Sequence, residues 1–199
     1  MTMNNYNYQG AENYCYPGTN VLVNKLNIYS DEQLTIAERK ITRLKLIEFF
    51  ILPVPKIFDF ALYCDIHRSI FEDIYSWAGQ IRKGEFLLKG ISIFCRGSLL
   101  LSNADKIFGN LAYKKYLCNL DKSDFIYKMA YYMGEINALH PFREGNGRTL
   151  REFFRQLSLN AGYMLDFSKT NKDKLLIADI NALNGNYNDL IKILDKAIQ

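Results

Sequence analysis

Histidine, tryptophan and proline are scarce in this chain: two, one and four residues among 199. With only His67 and His140 present, each histidine has to be accounted for individually. The four cysteines, at positions 15, 64, 95 and 118, form no C-x-x-C pair and have no histidine-rich surroundings. That spacing speaks against a structural zinc site and for scattered thiols in a reducing compartment, so a cytoplasmic location is expected. Long apolar runs are also missing. The longest, around Leu46 to Val54, contains Glu48 and Pro53 and is too short to span a bilayer. The polar opening Met1 to Gly10 lacks the charged and apolar regions of a secretory signal. Finally, the net charge of +4 is spread along the chain without a basic run. That leaves room for an anionic ligand such as a nucleotide but gives no direct nucleic-acid surface, and no membrane partner is expected.

What is present is a globular composition, with 49% apolar residues and a length that suits one compact domain. No repeat, low-complexity tract or linker divides it. Residues 1–13, rich in Asn and Tyr, read as a flexible N-terminal tail, and residues 14–199 as a single domain with its core over about 60–162. Ser30 and Gln33 fit a capping box, after which Leu34, Ala37, Ile41 and Leu44 recur at helical spacing; this helix should stop before Pro53. A second helix is expected over about Phe60 to Trp77, with Tyr63, Ile66, Ile70, Phe71 and Ile74 on one face and Gly79 as the cap. In Glu85 to Cys95 the residues Ile91, Ile93 and Cys95 alternate, and Lys89-Gly90 can turn the chain, which predicts a short hairpin. Further helices are expected at about 102–116, 123–138, 147–161, 171–183 and 187–198, with Asn184-Gly185 as a break. The fold class is therefore mainly α with one small β element.

One segment carries chemistry: His140-Pro-Phe-Arg-Glu-Gly-Asn-Gly-Arg-Thr-Leu-Arg-Glu-Phe-Phe-Arg155. Pro141 disfavours helix at His140. Gly145 and Gly147 let a ligand approach the main chain, and a helix starting at once afterwards leaves free N–H groups aimed at one spot, which suits phosphate. On that helix Leu150, Phe153, Phe154, Leu157 and Ala161 gather on the core side, and Arg148, Arg151 and Arg155 on the other. Cations in a first helical turn oppose the macrodipole by roughly 0.3–1 kcal/mol each, a penalty that a bound polyanion removes. Arg155 is expected instead to be solvated, with Glu152 pairing locally. Beside a phosphate nest, Glu144 can hold Mg²⁺, which nucleotide sites bind through one or two carboxylates and phosphate oxygens. His140, a few residues before the nest, can take a proton from an attacking hydroxyl. His67 falls within the stripe of Ile66, Ile70, Phe71 and Ile74 and is expected to be a satisfied core histidine; Trp77 is expected to be a packing residue.

These residues match the signature H-x-F-x-D/E-G-N-G-R-x-x-R at every constrained position: His140, Phe142, Glu144, Gly145, Asn146, Gly147, Arg148 and Arg151. The chain thereby resembles the Fic family of protein adenylyltransferases. Tyr16-Pro-Gly-Thr19 with Asn24-Lys-Leu26, and Ile66-His-Arg68 with Phe71, Trp77-Ala-Gly79 and Arg82, extend the likeness from about Tyr14 to the end. The resemblance implies a Fic-type helical domain whose hairpin is a target-docking flap, with Lys89, Gly90 and Ile91 as flap residues. It implies His140 as general base on a Tyr, Thr or Ser hydroxyl attacking the α-phosphate of ATP, and Glu144 as the Mg²⁺ ligand. Gly145, Asn146 and Gly147 would cradle the phosphates, with Arg148 on the β- and Arg151 on the γ-phosphate. Phe142 would anchor the loop. Relatives that move phosphate carry lysine at the second glycine, whereas Gly147 is glycine, so AMP transfer is preferred over that chemistry. Transfer of another phosphate-linked group, or a catalytically inactive interaction module, are the alternatives. The likeness to stand-alone bacterial Fic toxins suggests a type II topoisomerase as target. It also suggests a small antitoxin bearing the S/T-x-x-x-E-G/N motif that silences many family members. No such motif occurs here, since Glu12-Asn13 and Glu144-Gly145 are preceded at the required place by Tyr8 and His140. The chain ends at Gln199, soon after its last expected helix, and an appended inhibitory segment is not expected.

Overall fold

The computed structural model describes residues 6–8, 14–89 and 92–199. Helix α1, Asp31–Glu48, starts where Ser30 accepts a hydrogen bond from the Gln33 N–H at 3.4 Å and ends before Pro53, as expected. Helix α2 is shorter than its apolar pattern suggests. Asp59 caps it through the Leu62 N–H at 2.8 Å, and it runs over Phe60–Phe71 rather than to Trp77. Glu72 and Asp73 would put two acids at its C-terminal end, where the macrodipole disfavours them. Lys25 takes over the exposed carbonyls, its Nζ donating to Glu72 O at 2.6 Å and its N–H to Ile74 O at 2.8 Å. The residues beyond form tight turns closed by Gly79 at φ +77, which keeps Ile74 and Tyr75 in the core.

The expected hairpin consists of β2, Leu87–Lys89, and β3, Ser92–Ile93, paired antiparallel with Leu88 opposite Ile93. Gly90 and Ile91 lie outside the described residues. A third strand, β1 at Tyr6–Tyr8, pairs antiparallel with β2 in a sheet ordered β1-β2-β3. This part of the expected tail is therefore a strand; the other expected tail residues lie outside the described ones. The remaining helices are α3, Leu100–Tyr113; α4, Lys122–Leu139; α5, Asn146–Asn160; α6, Lys172–Leu183; and α7, Asn188–Ala197, each close to its expected limits. Among the described residues no helix is long and apolar enough to cross a membrane.

α5 packs against α2 and α4, while α6 and α7 close over the other side of α4. Gly134 makes that second packing possible, because a Cβ there would lie 2.6 Å from the Tyr187 ring. The centre is aromatic. Phe153 on α5 meets Phe58, Tyr63, Phe108 and Phe154 with ring centroids 5.4–5.6 Å apart, all near-perpendicular. Edge-to-face contacts of this kind add to area burial, and Phe153 is fully buried. Phe153→Ala should therefore lower the unfolding free energy by about 3–5 kcal/mol, read as a shift of the urea midpoint with little change in slope.

Candidate active site

The loop between α4 and α5 is shaped by four residues. His140 ends α4 in the left-handed conformation, at φ 44 and ψ 58, just before Pro141. Phe142 then turns fully inward and stacks between Tyr63, at 5.6 Å, and His67, at 3.8 Å. Asn146 closes the loop: its Oδ1 accepts from Phe142 N–H at 3.0 Å and its Nδ2 donates to Phe142 O at 2.8 Å. The phosphate role expected for Asn146 is thus not open to its buried side chain, which builds the loop; its main-chain N–H remains. Gly145, at φ +84, has no alternative residue, since a Cβ would stand 2.2 Å from the Phe71 ring. Gly147 is less constrained: a Cβ would sit 3.2 Å from Nη1 of Arg151, whose guanidinium lies across it and would have to shift slightly.

Helix α5 begins here, and its first internal bonds run from Arg148 and Thr149 N–H to Gly145 O, each 3.1 Å. The N–H groups of Asn146 and Gly147 come before those bonds and are the helix-terminal donors that favour an anion.

His67 is a core histidine, as expected, and it also holds this loop in place. Its Nδ1 accepts from Gly79 N–H at 2.8 Å, so the ring proton must sit on Nε2, which donates to Glu144 O at 3.0 Å. Both roles require the neutral ring, and burial pushes its pKa down to about 4. On the other side, buried Arg82 ties the motif to the base of the β2–β3 hairpin. Its Nε donates to His140 O at 2.9 Å, Nη1 to Gly84 O at 3.1 Å and Nη2 to Cys95 O. The buried His140 ring lies on Phe94, with centroids 3.8 Å apart.

The charged groups lie on the open side. Glu144 Oε1 accepts from Gly145 N–H at 2.9 Å. Arg148 Nη2 lies 2.6 Å from Glu38 Oε1 and 3.8 Å from Glu144 Oε1, and its Nη1 donates to Thr42 Oγ1 at 3.2 Å. Burial lowers the pKa of Arg151, and the nearby Asp179 carboxylate counters this; burial raises Asp179 itself to about 6. Arg155 forms two bonds to Glu152, at 2.7 and 2.8 Å, the local pairing expected for it, but it is not solvated: its side chain is only 15% exposed and lies over the Phe50 ring. No group of three or more acidic, His or Cys side chains suited to a metal occurs among the described residues. The donor set at the loop is one carboxylate next to an anion nest, which fits a magnesium ion whose remaining ligands are phosphate oxygens and water.

The expected residues His140, Glu144, Gly145, Asn146, Gly147, Arg148 and Arg151 thus share one loop and the start of one helix, while Lys89 belongs to a separate element, at the end of β2. Reading the sequence for local motifs overlooked Glu38, Thr42 and Tyr75. A signal for the first two existed: Leu34, Glu38 and Thr42 recur at four-residue spacing, which puts Glu38 between two buried residues on the inner face of α1.

A helical domain whose glycine-containing loop opens onto a helix N-terminus, with a histidine before it and two arginines after it, has the donors and charge to receive a phosphate group. The chain belongs to the Fic/DOC family, whose model matches residues 57–158. Among curated relatives, protein adenylyltransferase VbhT of Bartonella schoenbuchensis is 37% identical over 188 residues. That alignment covers 94% of this chain but only 39% of VbhT. The probable protein adenylyltransferase Fic of Salmonella typhimurium is 33% identical, with 96% of this chain and 94% of the relative covered. Among solved structures, the BepC effector protein of Bartonella tribocorum with bound AMPPNP superposes with a TM-score of 0.92 at 27% identity, covering 96% of this chain and 99% of that one. A Fic domain from Bartonella quintana with bound ADP gives 0.90 at 29% identity, covering 94% of each chain.

His67 makes a prediction about acid. The unfolded chain takes up a proton at this ring as the pH falls through about 6.5, the folded chain only near 4. Between those values unfolding binds a proton, so the contribution of His67 to stability declines as pH falls, by roughly 3 kcal/mol in all. Asp179 acts in the opposite sense, because its raised carboxyl is protonated first in the folded state. Comparing wild type with His67→Gln isolates the histidine. In urea unfolding the wild type should be the more stable at pH 7, and its advantage should shrink steadily towards pH 4.

Proposed function

We propose that this chain is a protein adenylyltransferase that moves AMP from ATP onto a Tyr, Thr or Ser hydroxyl of another protein. The observation that carries this reading is the placement of a buried histidine directly before an anion nest that also holds a carboxylate and two arginines. In the proposed reaction the target hydroxyl attacks the α-phosphorus and gives its proton to His140. A new oxygen–phosphorus bond forms, the bond to the bridging oxygen of the β-phosphate breaks, and pyrophosphate leaves. The N–H groups of Asn146 and Gly147 face the charge that develops on the phosphate, while Arg148 and Arg151 offset the charge of the departing pyrophosphate. Magnesium, held by Glu144, would supply further charge compensation there. Phe94 and Arg82 fix the orientation of His140, so little reorganisation is needed as the hydroxyl arrives.

A role as the toxin of a toxin–antitoxin pair in the cytoplasm extends the proposal. It is supported by the surroundings of Arg151. The helix after Ser30 directs Glu38 to Arg148, not to Arg151, and Arg151 has no ion pair within 4.0 Å among the described residues. The γ-phosphate position is then open, and a glutamate supplied by a small partner protein could compete for it. Type II topoisomerases are proposed as targets by analogy with stand-alone family toxins.

Incubation with a candidate target and ATP labelled at the α- or the γ-phosphate tests the reaction. Label should reach the target only from the α-position. Transfer from the γ-position would indicate a kinase, and no transfer with either label an inactive module. His140→Ala should retain nucleotide binding yet transfer AMP about a hundredfold or more slowly. Control is tested separately. The unmodified chain should be active when purified, and a peptide helix carrying S/T-x-x-x-E-G/N should inhibit it in competition with ATP. An inactive wild type that is switched on by changes within residues 30–50 would show that inhibition is internal.

A further inference from the structure

Arg148 stands between two carboxylates. The same amine, Nη2, is 2.6 Å from Glu38 on α1 and 3.8 Å from Glu144 in the loop. Glu144 precedes Arg148 by four residues and sits in the loop just ahead of α5, within reach of the guanidinium. That local pair is not closed, because the guanidinium is held from the side of α1. Thr42 Oγ1 accepts from Nη1 at 3.2 Å, the Phe71 ring lies under the guanidinium at 4.6 Å, and the Tyr75 hydroxyl donates to Glu38 Oε2. Both oxygens of Glu38 are thereby committed, one to Arg148 and one to Tyr75. Its side chain is also the less exposed of the two acids, at 13% against 27% for Glu144.

Building on the proposed nucleotide chemistry, we propose that Glu38, braced by Tyr75, is a positioning residue that draws Arg148 away from Glu144 and so keeps the Glu144 carboxylate open to a divalent cation. Without this pull, Arg148 can move about one ångström and close an ion pair with Glu144, and a cation would have to displace a guanidinium before it could bind. The phenol of Tyr75 is suited to the task. Burial, and then the neighbouring Glu38 charge, raise its pKa far above the ordinary range, so it remains a donor at any working pH. The opposite role is also conceivable for a carboxylate at this place: Glu38 could compete with phosphate for Arg148. The two roles predict opposite results on removing its charge.

Calorimetric binding of AMPPNP at increasing Mg²⁺ separates them, using the full chain and no catalytic turnover. Glu38→Gln should need about fivefold more Mg²⁺ for half-maximal nucleotide binding, the scale of releasing a partly exposed ion pair onto Glu144. Tyr75→Phe should shift the requirement in the same direction by less, and provides the test if Glu38→Gln does not fold. In a Glu144→Gln background, Glu38→Gln should produce no further shift, because the two residues act on one event. Lys45→Ala removes another anchor of α1, the 3.0 Å pair with Asp73, and should leave the Mg²⁺ requirement unchanged. An unmoved requirement in Glu38→Gln overturns the proposal, and so does tighter nucleotide binding, which would make Glu38 a competitor of phosphate. A matching shift in Lys45→Ala also overturns it, by showing a general effect of loosening α1. Failure of the wild type to bind AMPPNP with Mg²⁺ would overturn the nucleotide reading itself, and this proposal with it.

Discussion

Phe142 lies between Tyr63 and His67 with its ring wholly out of solvent, and burying a phenylalanine is worth about 1.5–3 kcal/mol. To bring that ring inward the chain must leave α4 at His140, take a left-handed step and re-enter a helix within a few residues. The loop that results is too tight for a side chain at Gly145 and is closed by Asn146 bonding to both main-chain groups of Phe142. The donors at the start of α5 then converge because Phe142 is fixed. His67 adds a second attachment at the Glu144 carbonyl. The chemistry on the outer side of the loop therefore rests on apolar packing beneath it.

Above this base the charges are arranged by elements distant in sequence. Arg148 and Arg151 leave the same helix face, yet their surroundings differ. Arg148 is held by α1 through Glu38 and Thr42, whereas Arg151 lies across Gly147 with Asp179 of α6 as its nearest carboxylate influence. The two glycines of the motif likewise differ. Gly145 satisfies a positive φ and a ring contact, whereas Gly147 has only the movable end of Arg151 over it. A motif that looks uniform in one dimension thus combines several unrelated constraints.

Most of the fold was legible because its punctuation is local. Ser30 marks the start of α1 and Gly185 the break between α6 and α7, and both act through neighbours a few residues away. α2 was read too long because its apolar stripe continues through Ile74, Tyr75 and Trp77 after the helix has ended. Ile74 and Tyr75 stay apolar to fill the core, and Lys25, which no periodicity displays, takes up the carbonyls of Glu72 and Ile74 where the helix stops. Strand β1 was not legible at all, since Tyr6-Asn7-Tyr8 acquires its pairing from residues some eighty positions later. At the site, His140, Glu144, the two glycines and both arginines could be singled out from their order in the chain. Glu38 had only its four-residue spacing from buried Leu34 and Thr42 to mark it, and Tyr75 had nothing, because their importance exists only where α1 and the turn after α2 meet Arg148.

That separation bears on when in the life of the chain the site can exist. Glu38 and Arg148 are 110 positions apart, His67 and Glu144 77, and Arg82 and His140 58. Contacts spanning such loops form only after the loop-closure entropy has been overcome, and they belong to the slow, non-local part of folding. A chain still emerging from the ribosome, with α1 and α2 made and α5 not yet released, has neither the nest nor the partner that orders Glu38. Nucleotide competence should arrive together with the completed domain, so a protein able to modify its neighbours passes through no half-built state already capable of doing so.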